Sequence, residues 1–195
     1  MLGGHLPWSK KPDVPKDNHG WFPEGNAKVL SLFLNDNTKC VIELGSWLGK
    51  STRFILNQAK NAHVYAVDHW STDPSVYGNG VGTTEGLEKI GTLYETFLVN
   101  CWDYKDRLTP LRMRTMEGLD YLKELGVEPD MIYIDADHAY SSVMEDITKS
   151  INNFPKARIV GDDWRWEPVR EAVEDYAKAN GRKAVGRMNC WYYEI

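Results

Sequence analysis

Long hydrophobic runs are missing from this sequence of 195 residues. No uninterrupted apolar stretch approaches the roughly 18 residues that a membrane-spanning helix requires. Residues 1–20, MLGGHLPWSKKPDVPKDNHG, also lack the apolar core of a secretory signal peptide. We therefore expect a cytoplasmic protein with no membrane partner.

Cysteine is scarce, and basic residues form no long run. The 3 cysteines, Cys40, Cys101 and Cys190, are odd in number and far apart, which fits reduced thiols better than a disulfide framework or a cysteine metal site. The 28 acidic side chains outnumber the 23 basic ones and give a net charge of −5. This charge balance argues against a large nucleic-acid-binding surface. It leaves open only a small basic patch that could bind nucleic acid.

The composition is that of an ordinary globular domain. Apolar residues make up 42% and charged residues 26% of a chain whose length suits one domain. Residues 1–20 carry Gly, Pro, Lys and Asp without periodicity, and we expect them to form a flexible arm. Residues 21–195 are expected to form the single domain.

Short β-rich runs alternate with helical stretches along most of the chain. This alternation predicts right-handed βαβ units and a parallel sheet that is covered on both faces, an α/β fold. The predicted strands are residues 40–44, 63–67, 110–114, 131–135 and 157–161. The predicted helices are residues 23–34, 51–60, 85–102, 117–125, 141–154 and 167–180.

The C-terminal tail breaks the alternation. Residues 183–187 and 190–195 are two strand candidates that only Met188 and Asn189 separate. So short a link permits a hairpin and no crossover, so we expect the sheet to finish with an antiparallel strand. Residues 71–86 are rich in Gly, Ser and Thr and are predicted to form a long loop, of a length that is typical of functional lids or disorder.

A glycine turn follows the first predicted strand, in the segment Glu43-Leu-Gly-Ser-Trp-Leu-Gly-Lys-Ser-Thr52. Glycines allow a tight bend and a close approach to a ligand, while the free N–H groups of the next helix favour a negatively charged group. Glu43 adds a carboxylate that requires a cation or a donor. A carboxylate at this point distinguishes the turn from the dinucleotide fingerprint, whose glycines hold a pyrophosphate.

Asp68 and His69 end the second predicted strand. Asp68 falls roughly 20 residues after the glycine turn, where a ribose-binding acid is expected. Open α/β sheets bind ligands at the carboxyl edge of their strands, where Glu43 and Asp68 both lie. A ligand with a ribose at one end and an ammonium and a carboxylate at the other would satisfy both signals.

On these residues the sequence resembles the class I S-adenosylmethionine-dependent methyltransferases. The segment 43–49 is similar to their first motif, Asp68 to their ribose acid, and Met116-Glu117 to their adenine contact. The resemblance implies a Rossmann-like doubly wound sheet of order 3-2-1-4-5-7-6 with strand 7 antiparallel, and S-adenosyl-L-methionine as cofactor. The implied cofactor-binding residues are Glu43, Gly45, Ser46, Trp47, Gly49, Ser51, Thr52, Asp68, His69, Met116, Glu117 and Asp135.

A narrower resemblance rests on Ile134-Asp-Ala-Asp-His-Ala-Tyr140 with Val143 and Asp146. These residues are similar to the small metal-dependent O-methyltransferase-like group, whose wider circle includes catechol, caffeoyl-CoA and macrocin-type sugar O-methyltransferases. The resemblance covers about residues 25–163. It implies methylation of a small hydroxylated acceptor, namely a sugar, a polyol or a phenol.

Acidic residues also end the fourth and fifth predicted strands. Asp135, Asp162 and Asp163 should converge, because neighbouring strands lie about 4.8 Å apart. Gathered carboxylates need a compensating cation, and oxygen ligands without cysteine indicate Mg²⁺, Ca²⁺ or Mn²⁺. Helix N-capping is the alternative role for these residues. The resemblance implies that the three are metal ligands and that Asp137 or His138 is the general base.

Two other functions remain open from the sequence. A metal-dependent hydrolase could use the Asp cluster and His138 without a nucleoside cofactor, and a non-catalytic protein could retain the cofactor site alone. The chain has little room for an inserted acceptor domain. The acceptor pocket must therefore come from the N-terminal arm, the loop 71–86, the region after Asp163, or the second subunit of a homodimer.

Overall fold

A seven-stranded sheet forms the centre of the computed structural model, which describes residues 7–73 and 90–194. Its order is β3-β2-β1-β4-β5-β7-β6. Neighbours among β1 to β5 are parallel, whereas β7 runs antiparallel to both β5 and β6. This confirms the predicted order and the antiparallel strand 7. The strands are β1 Cys40–Leu44, β2 His63–Asp68, β3 Leu108–Arg112, β4 Met131–Ile134, β5 Arg158–Gly161, β6 Ala184–Arg187 and β7 Cys190–Tyr193.

Six α-helices and two 3₁₀ turns surround the sheet in the described part of the chain. One core cluster contains Leu30, Ile55 and Phe97, and a second cluster contains Leu119, Ile147 and Val173. The two clusters correspond to the two covered faces of a doubly wound sheet. The helices are α1 Glu24–Leu30, α2 Lys50–Gln58, α3 Leu93–Cys101, α4 Thr115–Glu124, α5 Tyr140–Asn153 and α6 Glu167–Ala179, and the 3₁₀ turns are Ile90–Thr92 and Trp102–Arg107.

The register of the central strands sets the position of the site. Leu44 pairs with both Val67 of β2 and Ile134 of β4, and Ile134 pairs with Gly161 of β5. The residues that follow these strands therefore emerge side by side at one edge of the sheet. β1 and β4 are buried almost throughout, as expected for parallel strands with helices on both faces.

Some boundaries differ from those expected. The third strand begins at Leu108, two residues before the predicted start, because Leu108 is buried and pairs with Val64. α1 ends at Leu30, short of residue 34, and α4 begins at Thr115. Residues 74–86 of the predicted loop and 85–89 of the third predicted helix lie outside the described residues. Among the described helices, none combines the length and the apolar character that a membrane span requires.

The segment 7–20, expected to belong to a flexible arm, makes specific contacts with the rest of the chain. The Trp8 indole donates a hydrogen bond to the backbone oxygen of Leu108 at 3.0 Å. The Asn100 side chain accepts a hydrogen bond from the backbone amide of Asp17 and donates one to the backbone carbonyl oxygen of Asp17. The Lys50 ammonium donates to the carbonyl of Gly20 at 2.8 Å. These bonds place residues 17–20 beside α2.

Candidate active site

We call the turn between β1 and α2, residues 45–49, the glycine loop. Gly45 and Gly49 have φ of +82° and +81°, in the left-handed region that favours glycine. A Cβ on Gly45 would lie 1.9 Å from the backbone oxygen of Asp135. Glycine at position 45 therefore lets the loop lie directly against the residue that follows β4.

Asp68, the last residue of β2, holds the glycine loop through backbone hydrogen bonds. The amides of Ser46 and Trp47 donate to its Oδ2 at 3.0 and 2.9 Å, and the amide of Trp70 donates to its Oδ1 at 2.8 Å. A carboxylate offers about four lone-pair positions, so these three bonds leave room for one ligand hydroxyl. The residue expected to bind a ribose thus also shapes the loop.

Glu43 lies fully buried beneath the glycine loop. Its Oε2 accepts hydrogen bonds from the hydroxyls of Ser46, at 2.7 Å, and Thr52. Burial raises the pKa of Glu43 to about 7, although the hydroxyls of Ser51, Thr52 and Ser46 oppose the rise. Its Oε1 is buried without a hydrogen-bond partner in the described part of the chain. A donor or cation from a ligand would satisfy this atom, as the sequence predicted for this carboxylate.

Aromatic rings flank the glycine loop. Trp47 has a positive φ of 45°, and its indole donates to His19 Nδ1 at 3.2 Å. The exposed Trp21 ring lies 5.8 Å from that of Trp47. Trp70 is fully buried and donates its indole N–H to the Trp47 carbonyl at 2.8 Å. The loop therefore has an apolar wall contributed partly by the N-terminal segment.

The other candidate cofactor residues also follow strands of this edge. Glu117 accepts a hydrogen bond from the Arg114 amide at 3.3 Å, which caps α4. The His69 ring accepts one from the Ser71 amide at 3.0 Å. Ser51 and Thr52 lie in the first turn of α2, which follows β1. His69 comes directly after β2, and Met116 and Glu117 lie in the first turn of α4, which follows β3.

Asp135, His138 and Asp163 form a compact cluster beside the glycine loop. One ligand atom from each lies within 4.8 Å of the other two. His138 Nε2 is 2.7 Å from Asp163 Oδ2. A small cleft lies at this point, and its lining also includes Ala136 and Val169. The three groups have the number and spacing needed to hold one divalent ion, with two carboxylates and one imidazole.

The ionisation of the cluster is strongly displaced. Burial and the charges of Asp162 and Asp163 raise the pKa of Asp135 well above its ordinary value. Burial alone would lower the pKa of His138, but its hydrogen bond to Asp163 raises it. Against the effect of burial, that same bond holds the pKa of Asp163 below its ordinary value. A cation between these groups would offset the repulsion of the carboxylates.

Asp162, which the sequence predicted as a metal ligand together with Asp135 and Asp163, lies behind the cluster and is not one of its three residues. Its Oδ2 accepts from Asn26 and from the Tyr133 hydroxyl, the latter at 3.2 Å. Its Oδ1 accepts from the Asp163 amide at 2.7 Å and from Asn189 at 2.9 Å. Burial and the neighbouring Asp163 raise the pKa of Asp162 to about 6. The structure therefore groups Asp135 and Asp163 with His138, and Asp162 supports them from beneath.

The two candidate bases occupy different surroundings. Asp137 is exposed and accepts from the Ala139 amide at 3.1 Å and the Ser142 hydroxyl at 2.8 Å, and the first of these bonds forms an Asx turn just before α5. Burial acts to raise the pKa of Asp137, but these hydrogen bonds hold it below its ordinary value. His138 instead belongs to the cluster itself.

Asn26 and Asn189 were not expected to take part in the site. Asn26 is a fully buried polar residue of α1 that donates to Asp162. Asn189, in the β6–β7 turn, donates to Asp162 Oδ1 at 2.9 Å and to Asp163 Oδ1 at 3.1 Å. The sequence places both far from residues 162 and 163. The one signal in the sequence was Asn26 itself, an amide side chain within the otherwise apolar pattern of the first helix.

A family model described as a methyltransferase domain matches residues 42–164. The match begins in β1 and ends just after Asp163, so it includes the glycine loop, Asp68 and the cluster. No curated protein matches the sequence.

Solved structures share the fold at low sequence identity. A precorrin 8W decarboxylase from Methanobacterium thermoautotrophicum has 14% identity and a TM-score of 0.61, covering 93% of this chain and 96% of that one. An O-methyltransferase from Bacillus cereus in complex with SAH has 14% identity and a TM-score of 0.60, covering 92% and 84%. A cofactor-bound protein from MTB has 17% identity and a TM-score of 0.65, covering 95% and 84%.

Proposed function

We propose, from the premise that the chain belongs to the methyltransferase-domain family, that it is an S-adenosyl-L-methionine-dependent O-methyltransferase acting on a small hydroxylated acceptor. The observation that carries the proposal is the direct contact between two sites. Gly45 of the glycine loop lies against the backbone of Asp135, which belongs to the acidic cluster. A cofactor on the loop would thus lie beside groups able to activate a hydroxyl.

The loop residues fit this cofactor. Asp68 retains one acceptor position for a ribose hydroxyl, and the unpartnered Oε1 of Glu43 calls for a donor or a cation. When bound, S-adenosyl-L-methionine supplies a methyl group on a positively charged sulfur. The structure of the Bacillus cereus O-methyltransferase in complex with SAH, the demethylated product, supports the same cofactor here.

Methyl transfer requires alignment and the removal of one proton. In such a transfer the acceptor oxygen would form a bond to the methyl carbon of the bound cofactor, the bond from that carbon to sulfur would break, and the electron pair of that bond would stay on sulfur. The hydroxyl proton must pass to a base. In the metal-free cluster, His138 can accept this proton, because the Asp163 carboxylate at 2.7 Å stabilises the imidazolium that results.

A divalent ion also fits the cluster. Asp135, His138 and Asp163 would hold it, and hydrogen bonds from Asn26 and Asn189 to Asp162 would support these ligands from behind. Such an ion would lower the pKa of an acceptor hydroxyl. With His138 occupied as a ligand, the ionised Asp137 beside it is the remaining base. The imidazole favours Mn²⁺ over Mg²⁺ and Ca²⁺, because the latter two both prefer oxygen ligands.

Calorimetric titration of the full chain with S-adenosylhomocysteine tests the cofactor, and mass spectrometry of acceptors after incubation with S-adenosyl-L-methionine and Mn²⁺ tests the reaction. We expect one-to-one binding and an acceptor mass increase of one methylene. Absence of cofactor binding, with metal-dependent turnover of esters or phosphates, would instead indicate a hydrolase. Cofactor binding without transfer to any member of a broad acceptor panel would contradict the enzymatic proposal.

A further inference from the structure

We infer that a groove on the outer side of α2 binds a small aromatic anion, that is, a flat ring that carries a carboxylate or a similar acidic group. The groove encloses about 400 Å³, a volume within the usual range of sites for small molecules. Its lining combines two cations with three aromatic rings, namely Lys50, Arg53, Phe22, Phe54 and Tyr104. None of these residues belongs to the glycine loop or to the acidic cluster, so the inference is independent of the proposed function.

One face of α2 forms the floor of the groove. The four lining residues of this helix are three or four positions apart, which places them on one side of it. They are Lys50, Arg53, Phe54 and Asn57. The buried Thr52 lies on a different side of α2, and its hydroxyl donates to Glu43 beneath the glycine loop. The helix itself therefore separates the groove from the proposed cofactor site.

Aromatic rings form the walls of the groove. The ring centroids of Phe22 and Phe54 are 5.2 Å apart, with an interplanar angle of 48°. Tyr104 lies in the 3₁₀ turn that precedes β3, and its hydroxyl donates to Asn57 Oδ1 at 2.9 Å, which fixes this ring relative to α2. All three rings are half-buried. They offer ring faces and edges on which a flat aromatic body can stack.

The two cations of the groove are bonded to neutral oxygen atoms. The Lys50 ammonium donates to the Gly20 carbonyl at 2.8 Å. The Arg53 guanidinium donates from Nε to the Gly49 carbonyl at 3.0 Å and from a terminal nitrogen to Asn18 Oδ1 at 2.7 Å. Among the described residues, no carboxylate forms an ion pair with either cation. The groove thus presents two positive charges that the chain does not neutralise.

Both cations also retain N–H groups for a ligand. The bonds to neutral oxygens use one of the three ammonium donors and two of the five guanidinium donors. Elsewhere on the surface, Lys149 pairs with Asp120 at 2.6 Å. An anionic group in the groove would form charge-assisted hydrogen bonds with the remaining donors. Together with the aromatic walls, these donors favour an aromatic acid over a neutral ring or a sugar.

Ligand-observed NMR titration of the full chain with 2-naphthoate tests this site. The comparison probes are 2-naphthamide, which has the same ring without the charge, and acetate, which has the charge without a ring. We expect 2-naphthoate to bind about tenfold more tightly than 2-naphthamide at neutral pH, because charge-assisted hydrogen bonds are the stronger ones. Acetate should also bind about tenfold more weakly than 2-naphthoate, because it cannot stack on the aromatic walls.

Substitutions separate the role of the charges from that of the rings. Arg53→Gln and Lys50→Gln should each lower the affinity for 2-naphthoate about tenfold and leave that for 2-naphthamide nearly unchanged. Phe54→Leu should lower both affinities about threefold, because it removes a ring and keeps an apolar side chain. Lys60→Gln is the matched control, since Lys60 is an exposed lysine just after α2 that does not line the groove. It should leave both affinities unchanged.

Repeating the titration with saturating S-adenosylhomocysteine locates the site. We expect no displacement of 2-naphthoate, because α2 lies between the groove and the glycine loop. Displacement, equal affinities for the acid and the amide, or an equal loss of both in Arg53→Gln would each overturn the inference. Failure of S-adenosylhomocysteine to bind would count against the proposed function, while the comparison of acid with amide would still decide whether the groove binds an anion.

Discussion

Glu43 illustrates how one residue can serve both the loop and the ligand. Its carboxylate accepts two hydroxyl hydrogen bonds while burial raises its pKa to about 7. The group is therefore partly protonated near neutrality in the absence of a ligand. A cationic group near Oε1 would favour the ionised form, so ligand binding and ionisation of this residue are coupled.

This displaced pKa predicts a pH dependence of stability. A carboxyl group whose pKa rises from 4.5 to about 7 on folding binds its proton more tightly in the native state. Its contribution to stability is present below the lower value and is lost as the pH rises through the higher one. For a carboxyl group with this shift in pKa, the free energy of unfolding decreases by at most about 3 kcal/mol.

Urea unfolding at pH 5 and pH 8 measures this effect. The Glu43→Gln variant should show a smaller decrease in the free energy of unfolding between the two pH values than the wild type. Glu128→Gln, a substitution of an exposed glutamate, should leave the decrease unchanged. An unaltered decrease in Glu43→Gln would contradict the role given to burial at this position.

Asp135 yields a second prediction at the residue scale. Its pKa is raised by burial and by the nearby carboxylates, so Asp135→Asn should raise the melting temperature of the metal-free protein. The same substitution removes one of the three ion ligands. In a thermal melting experiment, Mn²⁺ at about 100 times its Kd should stabilise the wild type by about 3 kcal/mol, which raises its melting temperature by roughly 5–10 °C. It should not raise the melting temperature of the variant.

Asp137→Asn is the matched control for this experiment. Asp137 lies two residues away, is exposed, and is not a member of the three-residue cluster. Its variant should keep the Mn²⁺ stabilisation. If Asp135→Asn were stabilised by Mn²⁺ as strongly as the wild type, the ion would not bind between Asp135, His138 and Asp163.

At the scale of elements, the site depends on where each strand ends and how the next turn begins. The glycine loop follows β1, Asp68 ends β2, and Asp135 and Asp162 follow β4 and β5. The register brings these points together, because Leu44, Val67 and Ile134 are paired across three strands. The loop is thus held by Asp68 on one side and by the backbone of Asp135 on the other.

Gly45→Ala tests this contact. The added Cβ would lie 1.9 Å from the Asp135 oxygen and would also occupy a backbone with a φ of +82°. We expect the free energy of unfolding to fall by about 3–5 kcal/mol. Gly126→Ala is the control, since Gly126 has a φ of +70° and a Cβ added there would meet no described neighbour within 4 Å, so it should cost only about 1 kcal/mol. Equal costs in chemical denaturation would show that the loop does not pack tightly against Asp135.

For the whole molecule, the sequence pattern predicted the parallel sheet and its antiparallel finish, whereas the strand order followed from the resemblance to the class I methyltransferases. Alternation of strands and helices indicated the parallel sheet, and the two-residue link before Cys190 indicated the antiparallel finish. The carboxylates at the strand ends could be placed at one edge, because the ends of parallel strands necessarily share it. The strand directions and the common edge of the carboxylates could be predicted because local sequence pattern and chain connectivity determine them.

The membership of the cluster could not be predicted in the same way. Asp162 and Asp163 are adjacent, yet a φ of +58° at Asp163 directs its carboxylate toward His138 while Asp162 is buried among Asn26, Tyr133 and Asn189. These partners come from distant parts of the chain. Their roles depend on tertiary packing and backbone conformation, which residue types and spacing do not specify.

A crystal structure of the full chain with S-adenosylhomocysteine and Mn²⁺ tests the central claim most directly. We expect the cofactor product to lie along the glycine loop, with its ribose at Asp68 and its amino group near Glu43. The anomalous signal of manganese should mark one ion between Asp135, His138 and Asp163. Cofactor density away from the loop, or an ion bound elsewhere while these three side chains point apart, would contradict the account.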